Sequence, residues 1–208
     1  MKLGSPADGV IAEIAVERGA AVRRGQPLVR LNSQLEAAAV ASARGKFEFA
    51  RRKAERNDEL YQKQLISIQE RDQLETEAKL AELELREREA ALRLRTIASP
   101  IDGTVVDRLM APGDQVSRAS GPILRLVQID PLYAEVVAPA GLFGRVRAGA
   151  AARLIPDGPG GKSYPARVSV VDRVIDPASG TFRVRFVLRN PGNAIPSGLR
   201  CRIEGLGE

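Results

Sequence analysis

The chain has 208 residues, enough for one or two compact domains or for several small modules in line. It contains no His, one Cys and two Met, which excludes His-based acid–base catalysis and a Cys/His zinc site and argues against a copper or silver carrier. A net charge of +6 raises nucleic acid as a partner, but Lys and Arg are interleaved with Asp and Glu and aromatic residues make up only 4%, so we expect no nucleic acid, metal, cofactor or enzymatic activity.

Near the N-terminus, Ser5-Pro6-Ala7-Asp8-Gly9-Val10 opens a strand pair. Val10, Ala12, Ile14 and Val16 alternate with Ile11, Glu13, Ala15 and Glu17, which is the period-2 pattern of a strand. Asp8-Gly9 supplies a tight turn through a residue that tolerates positive φ. No segment reaches transmembrane length, and Met1-Lys2-Leu3 has no apolar signal-type stretch behind it.

Ser33 to Arg95 then reads as a long antiparallel helical hairpin. The run carries no Pro and only Gly45, and it is dense in Ala, Glu, Arg, Leu and Gln. Ser33-Gln34-Leu35-Glu36 and Ser67-Ile68-Gln69-Glu70 are two capping boxes, so the chain stops near Gln62–Ile66 and restarts. Each arm is about 40 Å long at 1.5 Å per residue. The spacing places Val40, Ala43, Phe47, Ala50, Ala54, Asn57 and Tyr61 on one seam. It faces Leu74, Ala78, Ala81, Leu85, Arg88 and Leu92 of the second arm. Small residues dominate, so the helices can approach closely. A second stripe, Leu80, Leu83, Ala90 and Leu94, lies off that seam and is read either as contact with a neighbour or as one wide apolar face.

The hairpin interrupts a repeat. Ser99-Pro100-Ile101-Asp102-Gly103-Thr104 matches Ser5 to Val10, and the match continues through Gly19/Gly113 and Val22/Val116. After a one-residue slip it resumes at Pro27/Pro122, Arg30/Arg125 and Leu31/Leu126. Neither copy is long enough to bury a core alone; paired, they would form one small β-sandwich with a pseudo-two-fold.

Two such half-motifs split by an α-hairpin resemble the lipoyl domain of periplasmic adaptor subunits, the HlyD/AcrA-like membrane fusion proteins of tripartite efflux and secretion systems. The resemblance implies an elongated α+β protein with a hairpin inserted in a split lipoyl-like β-sandwich. It divides the chain into 1–32 (first lipoyl half), 33–97 (hairpin), 98–130 (second half) and 131–208 (a small β-barrel). It also implies a location in the periplasm at the inner membrane, with the native signal or anchor removed from this chain.

At the tip, adaptors that dock onto TolC-like outer-membrane channels carry R-x3-L-x6-S. Arg56, Leu60 and Ser67 stand at that spacing, and by resemblance they are the channel-binding residues. Those adaptors usually have a Gly in the tip turn, whose place here is near Gln64-Leu65. The implied partners are the outer-membrane channel, an inner-membrane transporter of the RND or ABC type, and further copies of the chain, as a hexamer.

Beyond Asp130-Pro131, Leu132–Ala138 reads as a strand, Ala140–Val146 as a short helix and Ala152–Ile155 as a strand leading into a Gly/Pro loop over 156–162. Val168, Val170 and Val174 alternate with Arg167, Ser169 and Arg173. Phe182, Val184, Phe186 and Leu188 alternate with Arg183, Arg185 and Arg189. A last strand, Leu199–Glu204, places Cys201 on an apolar face as a buried structural thiol. Short strands with such turns point to a small barrel, and V-D-x-x-I-D-P-x-S-x-T resembles the barrel that follows the lipoyl domain in adaptors.

Two other readings compete. A lipoyl or biotinyl carrier domain needs a Lys at the turn joining its halves; here a helical insert stands there, and the nearest lysine, Lys46, is in mid-helix. A cytoplasmic coiled-coil scaffold accounts for the hairpin but leaves the split repeat unexplained.

Overall fold

In chain order, strands precede and follow one pair of helices. The computed structural model describes residues 1–157 and 162–205. Its first strands are β1 (Lys2–Leu3), β2 (Gly9–Ile14), β3 (Ala21–Val22) and β4 (Pro27–Leu31). The helices α1 (Gln34–Gln62) and α2 (Ile68–Arg93) follow, then β5 (Thr96–Ala98), β6 (Gly103–Arg108), β7 (Gln115–Val116) and β8 (Leu124–Val127). The chain ends with β9 (Leu132–Pro139), β10 (Ala151–Pro156), β11 (Tyr164–Val171), β12 (Thr181–Leu188) and β13 (Cys201–Glu204). No helix among the described residues is long and apolar enough to cross a membrane. Residues 1–126 form one compact unit and 127–208 another.

In the first unit, one four-stranded sheet runs β1-β8-β6-β3 and the other β5-β4-β2-β7. Exchanging the two copies of the sequence repeat converts each order into the other, so every sheet takes strands from both copies. The hydrogen bonds repeat in the same way. Ile11 N donates to Asp114 O and Gly113 N to Ile11 O; Val105 N donates to Ala20 O and Gly19 N to Val105 O. The Ser5 hydroxyl donates to Ala7 O, as Ser99 does to Ile101 O. Between the sheets, Ile11, Leu28, Val29, Ile123, Leu124 and Leu126 are fully buried. Each such side chain contributes about 1.5–3 kcal/mol through burial.

Local details depart from the sequence reading. Gly9 and Gly103 open strands instead of turning, and positive φ falls at Gly19 (88°) and Gly113 (94°). A β-bulge between Ile11 and Glu13 breaks the alternation: Ile11, Ile14 and Val16 are buried, while Val10 faces solvent.

Every expected seam residue of α1, from Val40 to Tyr61, is buried or half-buried. On α2 the seam holds at Leu74, Ala78, Ala81, Leu85 and Leu92, but Arg88 is exposed. An ammonium or guanidinium is costly to desolvate in so narrow an interface, and the helix turns it outward. Cross-helix pairs Arg44–Glu89 (2.9 Å), Lys46–Glu84 (3.4 Å) and Lys53–Glu77 (3.5 Å) fix the antiparallel register.

The two capping boxes behave differently. Ser67 Oγ accepts from Glu70 N at 3.2 Å, as an N-cap should. Ser33 makes no such bond; Asn32 Oδ1 accepts from Gln34 N instead, and Glu36 turns away to pair with Arg95.

The second unit is one antiparallel sheet of order β13-β10-β11-β12-β9. It curls into a nearly closed barrel, so that its edge strands β9 and β13 line one cavity of about 590 Å³. Phe182, Val184, Phe186 and Leu188 fill its core. Asn190 is buried and fully bonded: Nδ2 donates to Ile129 O and Ile195 O, and Oδ1 accepts from Ile195 N.

Here too the sequence reading needs correction. Ala140–Val146 forms only a 3-10 turn at Ala140–Leu142. A bulge between Val168 and Val170 turns Val170 outward, and Val174 lies beyond β11, exposed. Cys201 is only partly buried, at the cavity. Burial pushes its thiol pKa up, with Asp157 adding to the shift. The loop expected over 156–162 lies largely outside the described residues.

Candidate functional site

The hairpin tip is the candidate site. Helix α1 ends in a reversal that uses two backbone bonds: Leu65 N donates to Leu60 O (2.9 Å) and Gln64 N to Tyr61 O (2.8 Å). This is the Schellman pattern, which requires a left-handed residue at Gln64. Gln64 has φ 60°. A side chain thus occupies the conformation that glycine adopts most easily.

Arg56 is exposed on the last turns of α1, and Leu60, one turn further on, is half-buried. Ser67 is exposed and caps α2. All three therefore lie within two turns of the reversal. Leu65 and Ile68 beside them are exposed apolar side chains, 66% and 53% accessible. Sequence reasoning missed these two, although both flank the capping Ser67. It also missed the cross-brace behind them: the Arg71 guanidinium lies 4.7 Å over the Tyr61 ring and pairs with Asp72 at 2.7 Å. Hydrogen bonding to Asp72 raises the Arg71 pKa further, so the brace is permanently charged. A cation and several apolar side chains on a stiff reversal can bind a partner surface. Among the described residues no cluster of His, Cys, Asp or Glu could hold a metal ion.

Two of the arginines on the outer face of the barrel are already matched. Arg183 pairs with Asp172 (3.3 Å) and Arg185 with Glu135 (2.7 Å). The Arg185 guanidinium holds the Glu135 carboxyl below its usual pKa.

Residues 2–124, the two interleaved strand copies with the hairpin between them, match the CzcB-like barrel-sandwich hybrid domain. The chain belongs to that family. The periplasmic linker protein ArpA of an antibiotic efflux pump in Pseudomonas putida is 23% identical over 206 residues, covering 92% of this chain and 56% of the relative. The chain thus spans about half the length of the curated relatives it matches. A chimera of MacA with the Pseudomonas aeruginosa MexA α-hairpin domain superposes with TM-score 0.80, at 20% identity, over 96% of this chain and 73% of the chimera. A membrane fusion protein of Streptococcus pneumoniae gives TM-score 0.73, at 18% identity, over 94% of this chain and 88% of that protein. At these identities the superpositions establish that this barrel-sandwich hybrid protein shares their fold.

Proposed function

We propose that the chain is a periplasmic adaptor that bridges an inner-membrane transporter and a TolC-like outer-membrane channel for efflux. Residues 1–32 and 98–130 act as one split, lipoyl-like sandwich that carries the hairpin of 33–97, and 131–208 act as the barrel module. The transporter is of the RND type, with an ABC-type exporter or type I secretion system as the alternative. Copies associate as a ring of six at the inner-membrane side of the periplasm. The protein performs no catalysis; its work is to seal and align.

One observation carries this reading. The hairpin holds an exposed cation, Arg56, and apolar side chains at a braced reversal, about 40 Å of helix away from the strands that anchor it. Arg56 meets the acidic or carbonyl-rich helix ends of the channel, Leu60 supplies apolar contact, and Ser67 keeps α2 starting at that point. The pump linker relatives supply the context.

The test is Arg56→Asp and Leu60→Asp in a cell that depends on the pump. We expect efflux and channel cross-linking to be lost while the melting temperature stays unchanged. Transport at the wild-type level would refute the docking role.

A further inference from the structure

The outer face of the barrel divides its arginines into two groups. Arg183 and Arg185 stand beside the carboxylates of Asp172 and Glu135. Among the described residues, Arg153, Arg167 and Arg189 have no ion pair; Arg167 makes only a long bond to the Gly149 carbonyl, at 3.5 Å.

Strand register brings these three together. Arg153 and Arg167 point outward because their chain neighbours, Ala152, Leu154, Ala166 and Val168, are buried in the barrel core. Arg189 does the same between buried Leu188 and Asn190. Arg153 stands opposite Pro165, and Arg167 opposite Val187. The antiparallel register then puts Arg189, two residues past Val187, level with Pro165 on its other side. Pro165 is thus flanked by Arg153 and Arg189, about 10 Å apart across two strand spacings, and Arg167 follows about 7 Å further along β11. Pro165 and Ala151 are short, so no long side chain of β10 or β11 stands between the three guanidinium groups. Glu204 lies opposite Arg153 on β13, and Arg202 beside it is taken by Asp157 at 3.8 Å. One carboxylate against three guanidinium groups leaves the patch net positive.

Tyr133 extends the patch. It stands opposite Val187, in the same cross-strand row as Arg167, and is 60% accessible. An aromatic ring with a polar tip beside arginines suits a boundary between water and apolar material.

We propose that this face binds the headgroups of an anionic phospholipid bilayer. A guanidinium presents a planar fork of donors that fits two phosphate oxygens at once. The outer side of a barrel is convex and has no walls. It does not enclose a small solute, but it lies well against a surface that offers many phosphates side by side. Tyr133 favours a lipid surface over nucleic acid, because its ring has apolar material to enter there. Each basic side chain near an anionic membrane strengthens partition about fivefold, so the three together give about a hundredfold. That orients a protein already held at a membrane and is too little to anchor it alone. The proposal rests on the inner-membrane location in the function proposed above and names the surface that meets the lipid.

The experiment is flotation of the full chain with vesicles of phosphatidylcholine, alone or mixed equally with phosphatidylglycerol, in about 0.15 M salt. The wild type should partition about a hundredfold more strongly onto the anionic vesicles. Arg153→Ala, Arg167→Ala and Arg189→Ala should each lower this about fivefold with an unchanged melting temperature, and the triple variant should bind both vesicles alike. Arg173→Ala removes the same charge from the exposed far end of β11, about 25 Å from Pro165 and beyond the screening length, and should leave partition unchanged. Equal partition onto the two vesicles, a triple variant that binds like the wild type, or an Arg173→Ala variant as weak as the others would overturn the proposal. So would competition by inorganic phosphate at constant ionic strength, which marks a site for the free ion, or retention by duplex DNA in preference to the vesicles. None of these outcomes touches channel docking, which the tip variants test in cells, and cell fractionation tests the membrane location without reference to the arginines.

Discussion

Arg95 Nη2 lies 2.5 Å from Glu36 Oε1, joining the last residue before β5 to the first turn of α1. The pair is largely shielded, with side chains only 20% and 21% accessible. The same guanidinium donates to the Asp8 carbonyl, and the Arg95 carbonyl accepts from Leu31 N at 2.8 Å. One residue thus ties both feet of the hairpin to the strand beside them. Gly9 makes room for it: a Cβ there would stand 2.8 Å from Arg95 Nη1. Arg95→Ala should cost about 2 kcal/mol, because it leaves a shielded carboxylate without its partner. Chemical denaturation of Arg95→Ala, Glu36→Gln and the double variant would check this. Effects that simply add would show that the two do not act together.

At the tip, two substitutions should move stability in opposite directions. Gln64→Gly relieves a side chain held at positive φ and should stabilise by about 0.5–1 kcal/mol. Ser67→Ala removes the cap on Glu70 N and should cost about 1 kcal/mol. Thermal melts of the two variants decide it, and shifts of the same sign would contradict the geometry.

Asp8 and Asp102 should prove equivalent. Asp8 Oδ1 accepts from Arg118 N (3.0 Å) and Asp102 Oδ1 from Arg24 N (2.9 Å), so each copy closes a turn of the other. Asp8→Ala and Asp102→Ala should each cost about 1–2 kcal/mol. Amide exchange at Arg118 and Arg24 should rise in the matching variant only.

Asn190→Ala should be among the most damaging changes in residues 127–208. It strands two buried carbonyls and one N–H, an expected loss of about 2–3 kcal/mol. Denaturation followed by Tyr fluorescence would measure it, and a loss under about 0.5 kcal/mol would mean that water replaces the amide.

Cys201 should alkylate slowly. Its thiol pKa is raised by burial and by Asp157, so the reactive thiolate forms at higher pH than in the unfolded chain. The rate–pH profile with iodoacetamide should lie to the alkaline side of that for the denatured protein. Asp157→Asn should move it back towards lower pH.

The sequence alone determined the helical pair, its turn and the repeat around it. Those features rest on local preferences: an Ala/Glu/Leu-rich run with a Ser cap at 67 forms and ends helices whatever surrounds it. Arg56, Leu60 and Ser67 stand near the reversal because the Ser67 cap fixes where the chain turns, while their R-x3-L-x6-S spacing is what the family resemblance supplied. Tertiary structure decided what depends on distant partners. Two bulges, at Ile11–Glu13 and Val168–Val170, set which side chains face inward, because strand phase follows the register of the neighbouring strand. Ser33 lost its capping box because Arg95, 59 residues from Glu36, offers that carboxylate a full positive charge where the box offers one backbone N–H.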